Sequence, residues 1–501
     1  MRDETPQIST SSVGGGKLDP PVHSASVLSP PVPSLPPIHS KILTTPLSRI
    51  PALKPAHMME VPTTQTTRLS NGLTITSQEH YSPLCTFGII ADVGSRYEIP
   101  GTNDGVSHLM ELMAFKSTNK WNHQQLVQKI DDLGGMVTCN SSREQFLFCA
   151  DVLRDGMEAT MEIMSDSILN AKLDAKEVEE MKHVMSYQMQ DMPVDVLLKE
   201  GIQIAAYGGG QSLGMPHFCT EEGLGRLNRE MLGEFRNKFL VAERMVLAGA
   251  GVNHEEFVRL GEKYFGEMAG EMAGVAGGVA GGAKKLSTYT GGEYRLEKEG
   301  SDNFTRIALA FEVGGWHDDD LVGTCVLQIL LGGGDSFSAG GPGKGMYSRL
   351  YREVLNRFYW AEASEAFTSL HDESGLLGIS GSSVGGKSGK LTMVFLEHFA
   401  KLAMVKVTDE ELSRAKNMLK CNVLTQMESR PVVFEDIGRQ MLTYGRRDGV
   451  DVVCNKIEMV EADDILRIAK KCMMGKPSIA SVGADLSTVP RVEEISRLII
   501  A

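Results

Sequence analysis

The chain has 501 residues, 42% hydrophobic and 23% charged, with a formal net charge of -14. It is too long for one ordinary core, and its composition is that of a globular protein with two or more domains. The acidic balance argues against a nucleic-acid partner and for a basic one, although acidity also serves solubility by itself, and no apolar run approaches the ~18 residues of a membrane span.

The eight cysteines are scattered without a CxxC pair, which indicates neither a zinc knuckle nor a disulfide framework and points to a reducing compartment. Residues 1–62 hold 12 of the 20 prolines among serines and threonines, and read as a disordered leader. As a matrix-targeting signal this leader is weak, because Asp3, Glu4 and Asp19 accompany few basic residues.

From Thr66 the pattern becomes that of a folded domain, spanning residues 63–268. RLSNGLTITSQE is a hairpin turning at Asn71-Gly72, and LCTFGIIADVGS is an apolar strand. Helices follow over Asp104 to Phe115, with Asn103 or Asp104 as cap, and over Trp121 to Leu133, stopped by Gly134-Gly135. MVTCNSSREQFLFCADVL alternates like two strands. Helices are then expected over Gly156 to Asn170, Lys176 to Gln190, Val194 to Tyr207 and Met231 to Phe239, before the strand RMVLAGAGV and a helix from His254 to Phe265.

Residues 269–285 are rich in alanine and glycine and read as a linker, since the glycines oppose a helix at ~1 kcal/mol each. Residues 286–501 then repeat the first half. TFGIIADVGSRYE is echoed by TRIALAFEVGGWHDD, and YQMQDMPV by TQMESRPV; each member of the second pair leads into a segment ending Tyr-Gly, at Tyr207-Gly208 and Tyr444-Gly445. MVLAGAGV is echoed by SIASVGAD. The fold class is therefore α+β, two homologous domains of α/β-roll type related by an internal repeat.

Two stretches stand out chemically. LLGGGDSFSAGGPGKGMYSR, residues 330–349, is dense in glycine between an apolar helix (Leu321 to Leu331) and an amphipathic segment (Tyr347 to Leu355). Its spacing fits neither a phosphate loop nor a dinucleotide fingerprint. Two readings stay open: a mobile loop whose amides and Phe337 hold an extended peptide, or a flexible connection. The second stretch is His108-Leu109-Met110-Glu111-Leu112. An inverted zinc-peptidase helix needs HxxEH, with two imidazoles at i and i+4 on the metal and Glu at i+3 polarising water. Here Leu112 replaces the second histidine, and HxxE alone reads as a helix-surface pair.

GVSHLMELMAFKSTN, GGMVTCNSSREQFLFCADVL and VLAGAGVNHEEF together resemble the pitrilysin-type zinc peptidases. GGGDSFSAGGPGKGMYSRLYREVLNR, YTGG at Tyr289 to Gly292 and ESRPVVFEDIGRQ resemble the non-catalytic α-subunit branch of the mitochondrial processing peptidases within them. The resemblance runs from about residue 66 to the C-terminus. It implies one half of a clamshell, closed by a catalytic β subunit that carries zinc and an intact HxxEH. It also implies a further ligand carboxylate where this chain has Gln188, so that His108 alone would remain of three ligands. The expectation is no zinc, no other cofactor and no hydrolysis by this chain alone, with Glu111 left as a helix-surface or interface residue.

The same resemblance assigns presequence recognition to the glycine-rich loop, through Gly332, Gly333, Gly334, Ser336, Phe337, Gly340, Gly341, Gly343, Lys344 and Gly345. The ligands would be cationic presequence peptides, with Glu353, Glu362, Glu365, Asp372 and Glu373 as candidate acids and Lys344 as a tether. The location implied is the mitochondrial matrix, or the inner membrane through complex III. The rivals are a structural core subunit of that respiratory cytochrome bc complex and an independently active peptidase, which Leu112 and Gln188 oppose.

Overall fold

The structure, a computed structural model, describes residues 62–80, 82–210, 212–268, 286–298, 303–335 and 346–500. The composition-based linker and all of the leader but Pro62 lie outside them. Residues 62–501 form one compact unit.

The first half contributes strands β1 (Thr64–Arg68), β2 (Thr74–Gln78), β3 (Leu84–Asp92), β4 (Met136–Ser141), β5 (Gln145–Leu153) and β6 (Met245–Ala250). Its helices are α1 (Val106–Leu112), α2 (His123–Asp132), α3 (Met157–Leu169), α4 (Ala175–Gln190), α5 (Val194–Tyr207), α6 (Glu221–Arg226), α7 (Arg229–Phe239) and α8 (His254–Phe265). The second half contributes β7 (Gly292–Glu297), β8 (Phe304–Gly314), β9 (Gly333–Asp335), β10 (Ala361–Leu370), β11 (Ser374–Val384) and β12 (Ser478–Gly483). Its helices are α9 (Leu321–Leu331), α10 (Ser388–Met404), α11 (Asp409–Gln426), α12 (Arg430–Tyr444), α13 (Val450–Glu458), α14 (Ala462–Met474) and α15 (Val492–Ile500).

The strands make two six-stranded sheets, ordered β1-β2-β6-β3-β5-β4 and β7-β12-β8-β11-β10-β9. The repeat is visible in the pairing. β2 runs parallel to β6 as β7 does to β12, and the other ladders are antiparallel. The central strands β3, β6, β8 and β12 are buried on both faces, as their nearly continuous apolar runs require. Because side chains alternate along a strand, Ile307, Leu309 and Phe311 of β8 enter the main core of the second half, while Ala308 and Ala310 face the other way. In the first half Ile89 joins the main core and Ile90 the opposite face.

Those opposite faces are covered by exchange. Helix α5 lays Leu198, Ile202 and Ala206, spaced i, i+4, i+8, on Ala308, Ala310, Ala480 and Val482 of the second sheet. Helix α12 lays Val433, Phe434, Ile437 and Met441 on Ile90, Val246, Ala248 and Ala250 of the first. Each half thus supplies the helix that closes the other half's sheet. The approach is close: a Cβ on Gly438 would stand 1.9 Å from Ile90 Cδ1, and one on Gly201 would stand 2.3 Å from Tyr294 Cδ1. These two glycines occupy equivalent places, each six residues before the Tyr-Gly that ends its helix.

Polar contacts lock the exchange. Arg430, at the start of α12, reaches Asp151 Oδ1 (2.5 Å) and Thr86 Oγ1 (2.8 Å) on the first sheet. Arg96, its side chain fully buried, pairs with Glu144 of the first half and with Glu373 Oε1 (2.7 Å) of the second. Removing one member of such a buried network leaves uncompensated charge and costs ~3–5 kcal/mol.

Two local expectations need correction. Asn103 and Asp104 do not cap α1; their carbonyl and carboxylate oxygens accept from Ile99 N and Gly101 N instead. The amphipathic segment from Tyr347 to Leu355 is helical only from Arg349, and its Tyr351–Leu355 part is one wide turn.

Candidate functional site

Helix α1 starts at Gly105, whose φ of 83° suits glycine and where a Cβ would meet Cys219 Sγ at 2.4 Å. Its first amides are satisfied by Glu98, whose carboxylate accepts from Gly105 N (2.7 Å), Ser107 N (2.9 Å) and Ser107 Oγ. Burial pushes the Glu98 carboxyl up to about 7, against these hydrogen bonds, which favour the ionised form. Val106, Leu109, Met110 and Met113 seat the helix in the core of the first half. His108 is thereby buried and points toward the last turn of α4.

There the degenerate motif assembles. The His108 Nε2 lies 3.1 Å from Gln188 Oε1, and its Nδ1 lies 3.4 Å from the backbone N of Cys219. An amide N–H only donates, so Nδ1 is the acceptor and the neutral ring carries its proton on Nε2, which donates to Gln188. Phe218 stands edge-on to the ring with centroids 5.2 Å apart. Burial lowers the His108 pKa, so the imidazole is held neutral.

This donor set does not fit a zinc site. The Nε2 lone pair that would bind a metal is replaced by a proton, Gln188 offers a neutral amide, and the Leu112 side chain packs against the apolar core. His217 and Cys219 lie beside His108, yet among the described residues no group of three His, Cys, Asp or Glu is placed to hold a metal ion. Glu111 is expected from the sequence as a helix-surface or interface residue. It is half-buried and accepts from Ser141 N (3.0 Å) and Ser141 Oγ, tying α1 to the edge strand β4. Burial raises its pKa, against the two Ser141 hydrogen bonds. Sequence reasoning missed His217, Phe218, Cys219 and Glu98, which follow no metal-ligand spacing; the glutamate preceding the α1 glycine by seven residues was the one available hint.

Of the glycine-rich stretch, residues 336–345 lie outside the described residues, and with them Ser336, Phe337, Gly340, Gly341, Gly343, Lys344 and Gly345. Its start is described and has structural work. Gly332 ends α9 at φ 57°, donating its N–H to Gln328 O (2.8 Å), and Gly333 leads edge strand β9, where a Cβ would collide with Ser364 O at 1.9 Å. Gly333, Gly334 and Asp335 pair with Glu365, Ser364 and Ala363 of β10.

The acids expected near this stretch separate. Glu362 and Glu365 are exposed on β10 beside it, whereas Glu373 is committed to Arg96 and to Ser287 N. Asp372 meets His317 Nε2 at 3.0 Å, and Glu353 lies 3.7 Å from Lys401 Nζ. Tyr347 (72% exposed) lies near the C-terminal end of the stretch, and Tyr359 (97% exposed) lies in the turn before β10.

Comparison with known proteins agrees with this geometry. Residues 73–221 match the family model Insulinase (Peptidase family M16), and residues 226–419 match the Peptidase M16 inactive domain. The chain is 37% identical over 440 residues to the mitochondrial-processing peptidase subunit alpha of Solanum tuberosum, covering 86% of this chain and 84% of that one. The chain belongs to the mitochondrial-processing peptidase α-subunit family. A probable α-1 subunit of Arabidopsis thaliana is 38% identical over 436 residues, and the human α subunit 32% over 446, again with 86% of this chain and 84% of each relative covered. Two M16-type domains in tandem account for the repeated sheets.

Proposed function

We propose that this chain is the non-catalytic, substrate-recognising subunit of a mitochondrial presequence-processing peptidase. It binds no zinc; the metal belongs to a catalytic β subunit with an intact HxxEH, and the two close as halves of a clamshell in the mitochondrial matrix. The observation that carries this reading is His108, which donates to Gln188 from the nitrogen a zinc ion would need, inside an otherwise complete peptidase-type fold. The glycine-rich loop gives such a chain its task. Its described start, Gly333–Asp335, lies on a sheet edge beside exposed Glu362 and Glu365, with exposed Tyr347 just past its other end and exposed Tyr359 in the turn before β10, groups suited to a cationic peptide with one apolar face.

The test is presequence cleavage by the chain with its HxxEH-bearing partner, compared with a deletion of residues 336–345. Cleavage by the pair but by neither subunit alone, with weaker substrate binding and an intact heterodimer after deletion, supports the proposal. Unchanged binding after deletion overturns the loop's role and favours a structural place in complex III. Stoichiometric zinc with cleavage by this chain alone overturns the whole reading.

A further inference from the structure

A large cavity opens beside the degenerate motif, and Ser141 and His217 are part of its lining. It is a groove of about 1120 Å³ where the end of the first sheet meets the helices of the second half. This exceeds the roughly 300–1,000 Å³ usual for a small-molecule pocket. Its floor is apolar and half-buried: Val322 and Cys325 from α9, Leu419 and Val423 from α11, and Val453 from α13. The i, i+3 and i, i+4 spacings put each pair on one helix face, so the floor is a continuous strip between helices.

The rim is acidic. Asp318, Asp319 and Asp320 stand on one side, with Asp436, Asp448 and Asp464 from α12 to α14 on the other. The lining carries seven carboxylates against five cations, and most groups of both signs are already paired, Asp436 with Arg447, Asp318 with Lys471 and Glu144 with Arg96 from outside the lining. Arg467 pairs with Asp320 and Asp464, Lys456 and Arg446 with Asp448, Arg439 with Glu435, and Arg143 with Glu200. Asp319 is exposed to an incoming ligand. Trp316 and Tyr444 also line the groove, each about a third exposed.

We infer that this groove is a second peptide site, taking the apolar face of a cationic amphipathic helix on its floor while the helix's arginines meet the aspartate rim. The inference rests on the recognition role proposed above for its occupant, but it assigns the occupant a place away from the glycine-rich loop. Helix-in-groove recognition reads apolar anchors one turn apart, which is what the Val322/Cys325 and Leu419/Val423 pairs of the floor present. Charge on the rim then sets orientation and on-rate more than affinity. A ligand held in this way stays helical, whereas a sheet edge binds an extended strand. One chain can therefore hold two parts of the same precursor in different conformations.

The experiment uses the full chain with its partner subunit and a fluorescein-labelled, arginine-bearing amphipathic helical peptide, read by anisotropy. Val423→Lys places a cation on the apolar floor and is expected to weaken binding at least about tenfold. Asp319→Lys, at an exposed position that leaves folding undisturbed, is expected to weaken it a few-fold at low salt and little at high salt. A scrambled peptide of the same composition, without an apolar face, should bind weakly and be indifferent to Val423→Lys. Peptide should also change the emission of Trp316, and Trp316→Phe should abolish that change.

Equal affinity of wild type, Val423→Lys and Asp319→Lys, with Trp316 emission unmoved, overturns the groove. If the deletion of residues 336–345 still weakens cleavage in that case, the recognition role stands and the groove alone has failed. Absence of any binding or stimulated cleavage by the wild-type pair defeats both.

Discussion

Replacing Phe434 by alanine in α12 should destabilise the half of the molecule to which α12 does not belong in sequence. Phe434 is 1% exposed and packs on Ile90, Val246, Ala248 and Ala250 of the first sheet. Truncating a fully buried phenylalanine costs ~3–5 kcal/mol, the transfer of the ring plus the cavity it leaves. Arg430→Ala removes the charged hydrogen bonds to Asp151 and Thr86 and should cost less, ~1.5–3 kcal/mol. The chain's tryptophans allow a local assay: Trp121 reports the first half and Trp360 the second, each isolated by replacing the other two with phenylalanine. Urea unfolding followed at each probe should show both midpoints falling together in Phe434→Ala. If Trp360 moves and Trp121 does not, α12 does not hold the first sheet and the exchange argument fails.

Three further outcomes follow from the same structure. Gly438→Ala should cost ~1–3 kcal/mol, because its Cβ would press on Ile90 and stand 3.2 Å from the Ala248 methyl, whereas Gly233→Ala in α7, with nothing within 4 Å, should stabilise by ~0.5–1 kcal/mol; thermal midpoints compare the two. Burial pushes the pKa of His217 and His398 down to about 4, from an ordinary 6.5, so between these values the unfolded chain binds protons that the folded chain refuses. Stability should therefore fall as pH drops from about 6.5 to about 4, and His398→Leu should flatten the slope of urea midpoint against pH in that window. Leu112→His combined with Gln188→Glu should restore two imidazoles and a carboxylate and give zinc retention on dialysis, lost again when His108→Asn is added. Stoichiometric zinc in the unaltered chain would refute the tautomer assigned to His108.

Much of the fold is legible in the residues. Helix α9 runs over Leu321–Leu331 as periodicity implies, and the hairpin of β1 and β2 turns at Asn71-Gly72. The paired Tyr-Gly signals mark α5 and α12 as equivalent. The exchange was not legible, because a stripe such as Leu198, Ile202, Ala206 states which face of a helix is apolar and not which sheet it will meet. The site divides similarly. His108, Glu111 and Gln188 were found through a motif and a resemblance, but the tautomer depends on a backbone N–H of Cys219 that only the tertiary fold brings near. Gly332 and Gly333 were expected to serve a ligand. The structure shows that they first serve the chain, closing α9 and turning it into an edge strand, which composition cannot separate from binding.

The exchanged helices also set the order in which the molecule can be completed. All strands of the first sheet are present once Ala250 has been made, but the helix that covers its second face ends only at Tyr444. During synthesis, or passage through a pore with the N-terminus leading, Ile90, Val246, Ala248 and Ala250 face water while that remaining length is delivered. The molecule therefore has a long vulnerable interval built into its topology. A fragment ending at Met268 should be soluble only while a chaperone occupies that face, and co-expression with a separate segment carrying residues 430–444 should release it.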